Sequence, residues 1–194
     1  MRRILTVLAG STLLSTAAIA EDVKLGIIFG FTGPIESLTQ PMAAAAELAM
    51  KEATDSGIFL GGSTVSSVRG DSTCIDSAAA VSAAERLVTS DKVNAIVGGD
   101  CSGVTGAILQ NVARPNGIVM ISPSATSPAL STAEDDGLFF RTSPSDARQG
   151  QIMTEILMEQ GITKVPVTSQ TQTMVRVWQK PLKQPLRRQG ERSL

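Results

Sequence analysis

Short apolar segments and amphipathic segments alternate along most of this chain. The apolar runs predict five strands, near residues 23–29, 64–69, 93–97, 117–121 and 138–141. Helical spacing of apolar residues predicts helices near residues 40–55, 75–89 and 102–113, and a short helix after Pro128. Strands that alternate with helices predict an α/β fold, with a parallel sheet flanked by helices on both faces.

The pattern continues beyond the fifth strand. Asp146 stands at a capping position before a predicted helix over residues 147–160, in which Ile152, Ile156 and Leu157 share one face. Residues 164–168 read as the beginning of another strand. This segment therefore predicts the start of a second structural unit.

Two loops rich in hydroxyl groups follow neighbouring strands. Ser102 stands where an N-cap would precede a helix, and residues 122–128 contain too much Pro and Ser to continue a sheet. Backbone N–H groups at a helix start carry partial positive charge, and the carboxyl ends of parallel strands meet at one edge of the sheet. The two loops together predict a preformed site for a small carboxylate.

The beginning of the chain has the form of a secretory signal peptide. Arg2 and Arg3 precede an apolar run over residues 4–14, and Ala18-Ile19-Ala20 supplies small residues for cleavage before Glu21. The run is far shorter than the ~20 residues that span a bilayer. We therefore expect residues 1–20 to be removed and the remaining chain to be a soluble periplasmic protein.

The chain has two cysteines, Cys74 and Cys101. Each follows a predicted strand, so both fall at the same edge of the sheet, and an exported chain with two cysteines most simply pairs them. Such a bond would stabilise the fold by about 3 to 4 kcal/mol. The alternative is a pair of buried free thiols, which is less compatible with export.

Composition argues against several chemistries. The chain contains no histidine, so Ser-His-Asp, Cys-His and His-based metal sites are excluded. Acidic residues outnumber basic ones between residues 21 and 164, which does not favour nucleic acid, and no glycine-rich phosphate loop follows a strand. Glu134-Asp135-Asp136 is interpreted as a solvated acidic turn rather than a metal cluster. We expect no cofactor and no metal.

Five segments carry a family resemblance that extends from about Asp22 to Val165. They are GFTGP at 30–34, GDSTC at 70–74, CSGVT at 101–105, ISPSATSP at 121–128 and FRTSPSDARQG at 140–150. In this order and spacing they resemble the amino-terminal part of a periplasmic branched-chain amino acid (Leu/Ile/Val-type) binding protein of an ABC transporter. The resemblance implies a periplasmic-binding-protein type I fold, with lobe one over residues 21–141 and the start of lobe two over 142–168. It also implies a disulfide at the two cysteines.

The resemblance implies roles for individual residues. Ser102 resembles the serine that holds the ligand carboxylate, Ser124 the position whose carbonyl accepts from the ligand ammonium, and Thr126 the threonine that contacts both groups. Ala125 belongs to the same ligand-binding set, and Phe31 could wall the ligand side chain. The alternatives are ordinary helix capping for Ser102 and Thr126, and a core position for Phe31.

The last part of the chain differs in composition from the rest. Basic residues outnumber acidic ones between residues 165 and 194, and Pro181 and Pro185 would break a helix. Shifting the reading frame back by one nucleotide allows Thr173 to Leu186 to read Tyr-Gly-Lys-Gly-Leu-Ala-Glu-Ala-Phe-Glu-Ala-Ala-Phe, an amphipathic segment that resembles lobe two of the family. We therefore expect residues 169–194 to be a frameshifted tail and ligand binding to be impaired by truncation. The alternative is a natural basic tail.

These observations leave three classes of function. The first is an extracytoplasmic receptor that binds branched-chain or related amino acids as a monomer and delivers them to an ABC transporter permease. The second is a ligand-sensing regulatory domain on the same fold, such as an amide or amino acid sensor. The third is an enzyme on a Rossmann-like sheet, which the missing histidine and nucleotide loop leave with little support, so we expect no enzymatic activity.

Overall fold

The computed structural model describes residues 22–166, in which five parallel strands form one sheet. The order across the sheet is β2-β1-β3-β4-β5, and every neighbouring pair is parallel. The predicted α/β architecture is confirmed. The predicted signal peptide (1–20) and basic tail (169–194) lie outside the described residues. The strands are β1 (Val23–Phe29), β2 (Val65–Asp71), β3 (Ala95–Gly98), β4 (Val119–Ser122) and β5 (Phe139–Arg141).

Helices connect the first four strands, whereas only a 3₁₀ turn lies between β4 and β5. The third helix continues past its regular part through a π-helical turn (Leu109–Ala113) and a last turn (Arg114–Asn116), and it ends at Gly117, whose φ of 65° is left-handed. Short 3₁₀ turns lie at Phe59–Gly61 and Pro128–Ser131. The helices are α1 (Glu36–Asp55), α2 (Ser77–Thr89), α3 (Ser102–Ile108) and α4 (Asp146–Glu159).

Alternation along β1 sends neighbouring side chains to opposite faces of the sheet. Ile27 and Phe29 pack with α1 through Ala43 and Met50, whereas Ile28 belongs to the cluster formed with α2 and α3. The second cluster is the larger and includes the fully buried side chains of Leu87, Ile96, Ile108, Leu109, Val112 and Met120. The sheet is therefore covered by helices on both faces, as the pattern predicts.

Glycines in two adjacent strands let α2 approach the sheet. A Cβ atom on Gly26 or on Gly70 would lie 3.1 Å from the Cδ1 atom of Leu87, which is fully buried. This spacing is tighter than ordinary van der Waals contact, so a larger residue would displace Leu87. Small residues at these two positions set the distance between helix and sheet.

The segment after β5 differs from the prediction in three respects. Ser145, not Asp146, caps α4, because its hydroxyl accepts from the Ala147 N–H at 3.3 Å. The predicted apolar face of α4 is largely exposed, with Ile152 at 41% and Ile156 at 44%. Residues 164–166 form no strand, and the rest of that predicted strand lies outside the described residues.

None of the helices between residues 22 and 166 has both the length and the apolar character that crossing a membrane requires.

Candidate functional site

All five strands are parallel, so the loops that follow them meet at one edge of the sheet. The loops that begin at Gly30, Ser72, Gly99 and Pro123 follow β1, β2, β3 and β4, and Thr142 follows β5. β1, β3 and β4 are consecutive neighbours in the sheet. The two hydroxyl-rich loops of the prediction, after β3 and β4, are therefore adjacent.

Ser102 is the first residue of α3 rather than its N-cap. Cys101 occupies the cap position, with extended backbone angles and no side-chain capping bond. The Ser102 hydroxyl instead accepts from the Ser127 N–H at 3.1 Å, which joins α3 to the loop after β4. The capping prediction for Ser102 is wrong, because the cap position of α3 lies one residue earlier than predicted and the Ser102 hydroxyl is bonded to the neighbouring loop.

The loop after β4 is held to the loop after β3 by two further hydroxyls. Ser122 is fully buried, and it donates to the Gly99 carbonyl at 2.5 Å and accepts from the Ala125 N–H at 3.0 Å. Ser124 donates to the Asp100 carbonyl at 2.9 Å. Ala125, between these contacts and Thr126, is fully buried. Ser124 and Ala125 thus lie in a loop whose shape is fixed against β3.

Thr126 lies where the site meets the segment that leads into α4. Its carbonyl oxygen accepts from the Asp146 N–H at 3.0 Å, so the first residue of α4 is bonded directly to it. The adjacent Ser127, not Thr126, caps the 3₁₀ turn, because its hydroxyl accepts from the Ala129 N–H. Helix capping therefore does not account for Thr126.

Arg141, at the end of β5, also binds the loop that follows β4. Its Nη1 donates to the Ser127 carbonyl at 2.8 Å and to the Ala125 carbonyl at 3.4 Å, and its Nη2 donates to the Ser131 hydroxyl. A guanidinium presents several donors in a fixed plane, which suits it to several acceptors at once. Arg141 was not singled out from the sequence, although it lies in one of the resembling segments.

Cys74 and Cys101 form a disulfide, as predicted, with Cα atoms 5.2 Å apart. The bond joins the loop after β2 to the residue directly before Ser102. In the same loop, Thr73 and Cys74 both have left-handed backbone angles, with φ of 55° and 68°. This conformation is unfavourable for residues with a Cβ atom, and the disulfide helps to hold it.

Asp71, at the end of β2, supports this loop with its carboxylate. It accepts from the Thr32 hydroxyl at 2.6 Å and from the Thr73 N–H at 2.8 Å. Burial, the largest single influence, raises the pKa of the Asp71 carboxyl, but these bonds and the amides of Thr32 and Phe31 together lower it below its ordinary value. The loops after β1 and β2 are thus joined by an ionised carboxylate.

Phe31 is at the correct edge of the sheet, but its ring belongs to the face covered by α1. It packs against the cluster that contains Phe29, with ring centroids 6.1 Å apart, and the Arg69 guanidinium lies 5.2 Å from its centroid. Arg69 is paired in turn with Glu47 at 2.7 Å. The contacts described for Phe31 are those of a partly buried core residue, and its role in binding stays a prediction.

Asp100 is a central residue of this edge that sequence reasoning missed. Its side chain is 4% exposed and accepts hydrogen bonds from the loops after β1 and β2. A single acidic residue between a strand and Cys101 gives no periodic signal. Its position directly after Gly98-Gly99, at the end of a predicted buried strand, is the one feature that could have indicated it.

The acidic turn before β5 lies apart from these loops. Arg114 pairs with Asp136 at 3.0 Å and with Glu134 at 3.5 Å, and Asp135 accepts from the Gly137 N–H at 3.0 Å. Because the Arg114 guanidinium and a turn amide bind these carboxylates, we interpret the turn as an ion-paired part of the surface. Within residues 22–166, no group of three or more metal-ligating side chains is present.

Comparison with known proteins assigns the chain to a family. A family model described as periplasmic binding protein matches residues 22–190. This chain belongs to the periplasmic binding protein family. It is 31% identical over 156 residues to the Leu/Ile/Val/Thr-binding protein of Salmonella typhimurium, a match that covers 79% of this chain and 41% of the relative. The Leu/Ile/Val-binding protein of Escherichia coli is also 31% identical, and the match covers 75% of this chain and 38% of that protein.

Solved structures agree with this assignment. The chain is similar to the branched-chain amino acid transporter substrate binding protein LivJ from Streptococcus pneumoniae in complex with isoleucine, at 32% identity and a TM-score of 0.64, over 71% of this chain and 38% of that one. A leucine binding protein LivK from Thermotoga maritima matches at a TM-score of 0.73 and 24% identity, over 87% of this chain and 46% of that one, and it shows the fold alone. The chain thus spans about two fifths of the length of the curated relatives it matches, with shares of 41% and 38%.

Proposed function

We propose that this chain contributes the first lobe of an extracytoplasmic receptor that binds branched-chain or related amino acids for import by an ABC transporter. The observation that carries the proposal is the junction of two loops at one sheet edge, where the Ser102 hydroxyl accepts from the Ser127 N–H. This contact brings Ser102 beside the segment that contains Ser124, Ala125 and Thr126. Relatives that bind leucine, isoleucine and valine support the ligand class.

The chemistry of the two loops suits the head of an amino acid. Hydroxyls and backbone N–H groups at the start of α3 can donate to a carboxylate, while carbonyl oxygens of the loop after β4 can accept from an ammonium group. Ser102, Ser124 and Thr126 are each partly exposed, so a ligand can reach them. The site therefore offers both halves of the recognition that a zwitterion needs.

The family assignment favours binding over catalysis and transport over regulation. The named relatives are amino acid binding proteins, and the family name refers to the periplasm. Export through residues 1–20, docking to a membrane permease and action as a monomer follow from this proposal. The selectivity for one amino acid side chain of the ligand over another depends on contacts outside the loops described above.

Heteronuclear NMR titration with L-leucine tests the proposal on the chain purified from the periplasm. Because receptors of this class close two lobes over the ligand, we expect weak binding, with shifts concentrated at the amides of Ser102, Ala125 and Thr126. Ser102→Ala and Thr126→Ala should each weaken binding by about 10- to 150-fold, since a hydrogen bond to a charged group contributes about 1.5 to 3 kcal/mol.

Ser82→Ala is a matched control, because Ser82 lies on the exposed side of α2, away from the strand ends. Its affinity for L-leucine should equal that of the unchanged chain. Shifts spread evenly over the chain, or equal affinities in all three variants, would remove these loops from the binding site.

A further inference from the structure

Asp100 is a buried carboxylate to which the roles above assign no function. Its Oδ2 accepts from the Gly30 N–H at 2.7 Å, and its Oδ1 accepts from the Cys101 N–H at 3.0 Å and from the Ser72 hydroxyl at 3.2 Å. These donors belong to the loops after β1, β3 and β2. One side chain thus joins the ends of three neighbouring strands.

The backbone of Asp100 extends the same network to the fourth loop. Its carbonyl oxygen accepts from the Ser124 hydroxyl at 2.9 Å. Ser102 follows Asp100 by two residues, and the disulfide at Cys101 lies between them. Asp100 therefore lies between the two proposed ligand contacts and holds both of their loops.

Within residues 22–166, the hydrogen bonds that the Asp100 carboxylate accepts come from neutral donors. None of the ion pairs found within residues 22–166 involves Asp100, and its three side-chain bonds come from two amides and a hydroxyl. A buried anion interacts strongly with charges nearby, because the effective dielectric constant of the protein is low. A ligand carboxylate bound at Ser102 would be repelled by it, and an ammonium group on the same ligand would offset that repulsion.

We propose that Asp100 is the positioning residue of the site, and that its charge favours a ligand carrying an ammonium group beside its carboxylate. The proposal rests on the proposed function and deepens it. A purely structural role would affect all ligands of the site alike. A charge effect distinguishes a zwitterion from a simple carboxylate of the same shape.

The test compares L-leucine with 4-methylpentanoate, which has the same side chain and carboxylate but no ammonium group. Asp100→Asn keeps the shape of the side chain and removes its charge. Affinities from NMR titration should show the preference for L-leucine over 4-methylpentanoate falling by about fivefold or more in this variant. Ser72→Ala is the matched control, because it removes one bond to Asp100 and keeps the charge, so both affinities should fall by the same factor.

Each outcome decides the proposal. An unchanged preference in folded Asp100→Asn would overturn the charge effect. If circular dichroism shows that Asp100→Asn is unfolded, Ser72→Ala decides, and unchanged affinities for both ligands would overturn the positioning role.

A separate measurement distinguishes this proposal from the proposed function. If the unchanged chain binds neither ligand, the proposed function fails for this chain, and amide exchange at Gly30 tests Asp100 alone. Exchange there should accelerate about tenfold in Asp100→Ala, because Ala, unlike Asn, leaves the Gly30 amide without a side-chain acceptor. An unchanged exchange rate would refute the positioning role without reference to any ligand.

Discussion

Removing the disulfide should destabilise the fold substantially, because Cys74 and Cys101 are separated by 27 residues of sequence. In the chain-entropy model, opening a loop of this length costs about 3 to 4 kcal/mol of stability. With a urea m-value of about 2 kcal/mol/M, the unfolding midpoint should fall by about 2 M.

Urea unfolding followed by circular dichroism measures this change in three samples. They are the oxidised chain, the same chain with reductant, and the double variant Cys74→Ala, Cys101→Ala. The reduced chain retains both side chains, so it separates loss of the covalent bond from loss of side-chain volume. If the bond accounts for the effect, the reduced chain and the double variant should have midpoints within about 0.5 M of one another.

Two results would contradict this reasoning. A reduced chain with the stability of the oxidised chain would show that the loop constraint contributes little. Alkylation without reductant, followed by intact-mass measurement, should label no cysteine, and two labels would show that the pair is not bonded.

The packing and the charges give three further predictions. Gly98→Ala should destabilise the fold by several kcal/mol in urea unfolding, because φ is 142° there and a Cβ atom would overlap the Ile28 carbonyl. Gly103→Ala in α3 is the control, because a Cβ atom there meets open space and the change should be neutral or stabilising. Equal effects of the two substitutions on stability would contradict this reasoning. Since the folded pKa of Asp71 is lowered, its contribution is complete above the unfolded pKa of about 4 and is lost as pH falls through the folded value. Asp71→Asn should therefore flatten the acid dependence of stability, and an unchanged pH profile would count against it. Amides of α4 should exchange faster than those of α3, because Ile152 and Ile156 are exposed; equal protection by hydrogen exchange would argue that α4 is packed.

The local pattern of apolar and polar residues was sufficient to predict the order of the five strands and the helices between them. Hydrophobic periodicity reports which residues face the core, so the order of strands and helices between residues 22 and 141 was predictable, and β1 matches its predicted range. Boundaries were less accurate, as at Ser145, because several nearby side chains could cap α4 and the sequence does not rank them.

The sequence by itself also determined that hydroxyl-rich loops follow neighbouring strands, and it predicted the Cys74–Cys101 bond that the structure contains. Only the tertiary structure decided what each hydroxyl binds. Ser102 was predicted to cap its own helix, but it accepts from Ser127, which is 25 residues away along the chain. Asp100 and Gly30 are 70 residues apart, and their bond exists because parallel strands bring their carboxyl ends to one edge. Side-chain hydrogen bonds over such separations have no local pattern, since they depend on which loops the sheet places together.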